Sequence, residues 1–536
     1  MSESGSSRTK TVSETVDSES TDGLLIPDRW TNNISYRQLV MSSCIGIVQL
    51  WWHPYLHDLR KLLPFLFLYN VFSLLFGYPL FYLELALGVV TKKGVLNCWD
   101  LAPVARGIGF AMLVSCLFTA LAVGAVAAWS LALLVHSFHS FLPWLHCAAS
   151  ARPACAARHR PLSAGSETPA HSFFFNFVLN LKREGLDGGL GNIAWELTWY
   201  YVICWVLIYF IAVKRIYSYS KLVLFKDVLA YFVLICSAFG AARLGGAGRM
   251  FQECDWTVLL DGLEIWRKAI EYSLIQMSVS HGTLVMLGSY SPKGQHKLGT
   301  TAMLAFAVSK LSCMTTALVL GAAHGALIKD YDSETNIWNG TSSAMILWSD
   351  YVARIPGSQF WSGLVFFTLF VLSLSSTALL VQTMMSAFTG KSIRKISWAF
   401  LVLICVLFCF LGIITLCTQG GLYIMNFLMD WPVTMPRVPI AAMVAIIVTY
   451  VYGQTTFCED VFFAVGEYPG VFLRVCWALS PGLLLGIFAT GIGSWSFEVV
   501  AGWMMVVLTL IPIGVVIIFY LFFKCRIRVS DAFCGT

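Results

Sequence analysis

The sequence predicts an all-α polytopic membrane protein: twelve transmembrane helices, ten of them forming a 5+5 inverted repeat whose helices 1 and 6 are broken. Three observations predict it. Of 536 residues, 58% are hydrophobic and only 12% charged, where soluble chains carry about 25% charged residues. Apolar segments of about 20 residues, the length that crosses a hydrocarbon core, recur along the chain. No water reaches that depth to satisfy the backbone, so such segments must be helical. The first and sixth segments are interrupted by polar residues and glycine, and breaks five segments apart point to an inverted repeat around a midplane site.

Residues 1–29 are rich in Ser, Thr and Glu and have no apolar run. They are expected to form a disordered cytoplasmic tail rather than a cleaved signal peptide. The helical domain is expected over 30–524 and a short cytoplasmic tail over 525–536. Spans are expected near 34–57, 62–90, 107–140, 195–213, 221–243, 261–289, 299–327, 359–389, 397–417, 433–452, 472–494 and 502–523. The long outer loops are then 143–194 and 329–358, the second with short helices of its own.

Span one runs through Ser42-Ser-Cys-Ile-Gly-Ile-Val-Gln-Leu-Trp-Trp-His-Pro-Tyr55, with Gly46, Gln49, His53 and Pro54 where a plain membrane helix carries Leu and Val. Span two holds Glu84 in Tyr78-Pro-Leu-Phe-Tyr-Leu-Glu-Leu-Ala-Leu-Gly88. A carboxylate at membrane depth is costly and normally faces a bundle interior or an aqueous pathway. Span six carries the polar stretch Gln276-Met-Ser-Val-Ser-His-Gly282. The plainer alternative is a pair of kinked structural helices. A broken helix beside an intramembrane acid favours an ion or solute site.

The formal charge of +6 does not suggest a nucleic-acid surface, because the cations fall in alternate loops. Lys92, Lys93 and Arg106 are followed by Lys214, Arg215 and Lys221, then Lys391, Arg394 and Lys395, then Lys524, Arg526 and Arg528. The positive-inside rule then puts both termini in the cytoplasm. Most of the 16 cysteines sit singly in apolar segments as small buried hydrophobes. Cys147 and Cys155 are the exception, in a polar outer loop where a disulfide can persist. Asn339-Gly-Thr341 is an outer-loop glycosylation sequon. A disulfide and a glycan together imply a secretory-pathway membrane, at the cell surface. No phosphate loop, metal-ligand spacing or nucleophile motif occurs in a polar domain, so an enzyme is not expected.

Over about residues 29–495 the chain resembles the neurotransmitter:sodium symporter family (solute carrier family 6-like), with its LeuT-type fold, as a divergent member. The matching motifs are Pro79-Leu-Phe-Tyr-Leu-Glu-Leu-Ala-Leu-Gly88, Gly107-Ile-Gly-Phe110, Leu142-Pro-Trp144, Asp255-Trp256, Ser289-Tyr290, Gln419-Gly-Gly-Leu-Tyr423, Cys476-Trp477 and Ser480-Pro481. Each is weak alone; in order and at nearly family spacing they are specific. The resemblance implies sodium-driven, usually chloride-assisted inward transport of an amino acid, monoamine or osmolyte.

The resemblance also implies site residues, many of them altered. Gly46, Val48, Val123, Ile275, Ser278 and Ser376 occupy substrate-binding positions. Gln49 replaces the Asn of the first sodium site, Gln276 a hydroxyl shared by the sodium and chloride shells, and Phe65 the chloride Tyr. Alkali ions need several hard oxygens at once, so the first sodium site and the chloride site are expected to be degenerate and chloride to be dispensable. The second sodium site is the better match, with Ser375 and Ser376 offering hydroxyls and Ser42, Ile45 and Leu372 backbone carbonyls. A one-residue shift would substitute Ser376 and Thr377, and the alternative is serines bonding back to the preceding helical turn. Gly46 stands where monoamine carriers place Asp, which disfavours a cationic amine. Arg29, Trp30 and Tyr290 fall in the inner-gate region and Trp52 and Asp430 in the outer. Trp52 replaces the outer-gate Arg and Gly390 the inner-gate Asp, so both charged gates are expected to be impaired.

The expected function is therefore sodium-dependent symport, through one ion site, of a small neutral or zwitterionic solute such as a neutral amino acid. One alternative is a non-transporting relative acting as a scaffold, trafficking subunit or sensor. Another is proton coupling through Glu84, His53 or His281. The partners expected are the solute and the lipid bilayer.

Overall fold

The computed structural model describes residues 33–147, 155–156, 167–183, 185–186, 188–213, 215–292, 297–331, 340–388, 397–491 and 497–533. Arg29, Trp30, Asn339, Gly390 and the 1–29 tail lie outside them.

Ten described helical stretches are long and apolar enough to span a membrane. They are Leu59–Thr91, Pro103–His136, Trp195–Val213, Leu222–Ala242, Leu298–Tyr331, Ser358–Phe388, Trp398–Thr415, Gly421–Val465, Val471–Ala489 and Glu498–Phe522. Two broken helices complete the set of twelve. Span one is Asn33–Ser43 followed by Ile47–Trp51. Span six is Glu264–Gln276 followed by Thr283–Ser289. The breaks fall at the positions the resemblance implies.

The two breaks have different causes. In span one Gly46 is extended, at φ −124° and ψ −174°, so any residue could adopt its backbone. Glycine leaves room there: a Cβ would lie 2.7 Å from the Ser376 hydroxyl, which would have to shift. In span six the break is built from left-handed residues, with φ at +56° for Ser278, +70° for Ser280 and +79° for Gly282. Such values in serine are strained and persist only where the surroundings fix them.

Span ten is longer than expected. In place of 433–452, helical structure runs from Gly421 to Val465, with π-helical turns at Met429–Thr434 and Ile447–Gly453. Pro432 inside the first turn cannot donate to the ladder, and the wider turn absorbs the defect. Span three ends at His136, short of residue 140.

Span two lies backbone to backbone on the inner half of span six. A Cβ on Gly88 would fall 2.2 Å from the Val285 carbonyl oxygen, and one on Gly288 would fall 2.3 Å from that of Leu85. On the outer side, Ser343–Arg354 forms a helix that docks on span one through two indoles. Trp51 Nε1 donates to Thr341 O at 2.8 Å, and Trp348 Nε1 donates to Leu50 O at 3.0 Å. Cys147 and Cys155 are disulfide-bonded, with Cα atoms 5.7 Å apart.

Candidate transport site

The two breaks face each other across a cavity of about 40 Å³, room for roughly three water molecules. Its lining includes all six candidate substrate residues, Gly46, Val48, Val123, Ile275, Ser278 and Ser376. The fold therefore brings together residues from spans one, three, six and eight.

Two glutamines lace the breaks together. Gln49 Nε2 donates to Gln276 O at 2.8 Å, and Gln276 Nε2 donates to Val48 O at 3.2 Å. Gln49 also turns back, its Oε1 accepting from the Gly46 amide at 2.9 Å. Ile47 N donates to Ser376 Oγ at 3.2 Å. Glu84 lies beneath, 1% exposed, with Oε1 accepting from the Ser280 amide at 2.8 Å. The family resemblance implies amides of both unwound segments at this carboxylate, near Gly46–Gln49 as well as Ser278–Gly282. Gly46 N bonds Gln49 and Ile47 N bonds Ser376 instead, and Glu84 Oε2 has no hydrogen-bond partner among the described residues.

Arg437 from span ten lines the same cavity and was not anticipated. Its Nη1 donates to Val279 O at 2.9 Å, Nη2 to Thr119 Oγ1 at 2.8 Å, and Nε to Val433 O at 2.8 Å. His281, beside it, has Nδ1 3.5 Å from Arg437 Nη1.

Asp430, which the resemblance places at the outer gate, has a cation beside it. Lys268 from span six puts Nζ 2.9 Å from Asp430 Oδ1. This corrects the expectation of an impaired outer pair. The cation comes from span six instead of span one, while Trp52 packs its ring 5.5 Å from that of Tyr272. Tyr290 caps the inner half of span six.

The most consequential residue missed in the sequence is Lys226. It lies in span five and is 1% exposed. Its Nζ donates to Ser42 O at 2.8 Å, to Ile45 O at 2.7 Å and to Asp227 Oδ1 at 2.9 Å. Asp227 Oδ1 accepts in addition from Ser42 Oγ at 2.9 Å. Ser42 and Ile45 are thus where the second-ion reading placed them, but their carbonyls bond an ammonium. With Lys226 in this place they offer no open shell to sodium. Leu372 and Ser375 are buried in span eight. Ser373 and Thr377 hydroxyls bond back to Leu369 O and Ser373 O at 2.7 and 2.9 Å.

The model of the sodium:neurotransmitter symporter family matches residues 27–526. The chain belongs to this family.

Two relatives show how far the chain has diverged within it. It is 25% identical over 548 residues to the sodium- and chloride-dependent glycine transporter 2 of Xenopus laevis, covering 92% of this chain and 69% of that one. It is 28% identical over 502 residues to the sodium- and chloride-dependent creatine transporter 1 of Bos taurus, covering 87% of this chain and 77% of that one. Members of the sodium:neurotransmitter symporter family are transporters, not enzymes. They are multi-pass LeuT-fold proteins that bind small molecules within the bilayer, and the family is sodium-dependent and usually chloride-dependent.

Proposed function

We propose that this sodium:neurotransmitter symporter relative is a secondary active transporter of a small neutral or zwitterionic solute. The convergence of the six candidate residues on one cavity between two broken helices carries the reading. Gly46 leaves no countercharge for an amine, and the Arg437 guanidinium in the wall repels a cation and suits a carboxylate. A neutral amino acid or related zwitterion fits both. The two relatives are named for glycine and creatine, which are such compounds. The protein would sit in the plasma membrane with both termini cytoplasmic and a glycan at Asn339.

Sodium coupling at the second position, through Ser375 and Ser376, would require Lys226 to leave the Ser42 and Ile45 carbonyls, which its hydrogen bonds to them oppose. Chloride independence is supported by the surroundings of Phe65. Phe65 packs on Tyr272, whose OH is engaged 2.6 Å from His53 Nδ1 and 3.2 Å from Cys313 Sγ. One observation favours a non-transporting relative: the glutamine bonds and Lys226 fasten the broken helices with the chain's own N–H groups. Proteoliposome uptake decides, with a panel of amino acids beside their decarboxylated amines, with and without a sodium gradient. Uptake confined to amines would overturn the substrate class. No uptake by folded protein would favour the non-transporting reading.

A further inference from the structure

We infer that Lys226 is a built-in cation: its ammonium occupies the second ion position and excludes sodium from it. This deepens the reading of that same site, yet its test does not depend on transport.

An ammonium has three N–H donors and no acceptor. All three are used here, on Ser42 O, Ile45 O and Asp227 Oδ1. The two carbonyls flank the break in span one. Ser42 O also accepts from the Ile45 amide at 3.1 Å, and the ammonium from span five donates to both carbonyls. A buried charge is tolerated when paired and fully hydrogen-bonded, and Asp227, itself fixed by Ser42 Oγ at 2.9 Å, completes the pair. Span eight contributes no ionisable side chain to this place, and span one contributes Cys44 within electrostatic reach. A free sodium ion taking the same two carbonyls would displace two of the three bonds and lie against a like charge in a low-dielectric interior, where repulsion is strong. The lysine thus joins span one to span five permanently, where a diffusible ion would bind and leave.

The test is thermal unfolding of the purified full-length protein in sodium chloride and in choline chloride at equal ionic strength. Wild type is expected to melt at the same temperature in both. Lys226→Met exposes the carbonyls and is expected to melt lower in choline and to gain a saturable stabilisation by sodium. Ser375→Ala with Ser376→Ala in that background should remove the gain. Where Lys226→Met does not fold, Lys226→Gln, which keeps N–H donors without the charge, takes its place. A saturable sodium shift in wild type, lost with the two serines, would overturn the inference, as would a folded Lys226 variant that stays indifferent to sodium. Absence of uptake with the expected melting pattern would sink the transport reading and leave this one standing.

Discussion

Asp430 and Lys268 are 162 residues apart in sequence and 2.9 Å apart in space, joining span ten to span six above the cavity. The Asp430 side chain is 55% exposed, so the pair is worth little to global stability, about 0.2–1 kcal/mol. Lys268→Ala and Asp430→Ala should each raise the labelling rate of a cysteine placed at Val48 by an impermeant thiol reagent. The double variant should add little to either. Additive effects would mean that the two residues do not act as a pair.

Among the described residues Glu84 accepts one backbone bond, from Ser280. Glu84→Leu orphans that buried amide at a cost of about 1–3 kcal/mol. Glu84→Gln retains an acceptor and should cost less. Melting temperature and surface expression should both rank wild type, Gln, Leu in descending order. A Leu variant that folds and traffics normally would remove Glu84 from the site's architecture.

Gly88 and Gly288 tolerate no side chain. A methyl group at either meets a backbone oxygen at 2.2–2.3 Å, and a backbone cannot swing aside as a side chain can. Overpacking of this kind costs about 1–3 kcal/mol. Gly88→Ala and Gly288→Ala should each lower the melting temperature, and Gly363→Ala, with open space around it, should not. Equal melting of all three would contradict the close approach.

The Cys147–Cys155 bond closes a short loop, and removing it should cost about 2–3 kcal/mol by the chain-entropy account. Cys147→Ser is expected to melt lower than wild type in oxidising buffer and to match reduced wild type. Non-reducing mass spectrometry that found both thiols free would refute the pairing.

The broken helices and Glu84 were legible because they depart from what a lipid-facing helix needs, and the six cavity residues, Val48, Val123 and Ile275 among them, because short motifs fix their register. Lys226 and Arg437 were equally exceptional in composition. The rule that marked Glu84, that an ionisable residue at membrane depth has a purpose, applies to them unchanged. Lys226 was masked by the basic loop just before it, where cations read as topology signals. Arg437 lies between Pro436 and Pro439 and reads as the start of a span, not its interior. The Lys268–Asp430 pair was illegible for another reason: partners on spans six and ten meet only through the fold. The extension of span ten past Pro432 was hidden because proline signals a helix boundary, and only the packing shows a π turn carrying the helix through.

The contact of Gly88 with the inner half of span six also sets what can move. Two backbones at that separation leave no side-chain layer to shear, so span two and Thr283–Ser289 must travel as one piece. The strained turn at Ser278–Gly282 is then the natural joint, because relaxing its left-handed residues offsets part of the work of bending. A covalent staple between span two and Thr283–Ser289 is expected to leave that joint movement intact, whereas one across Gly46 and Ser376 is expected to block it.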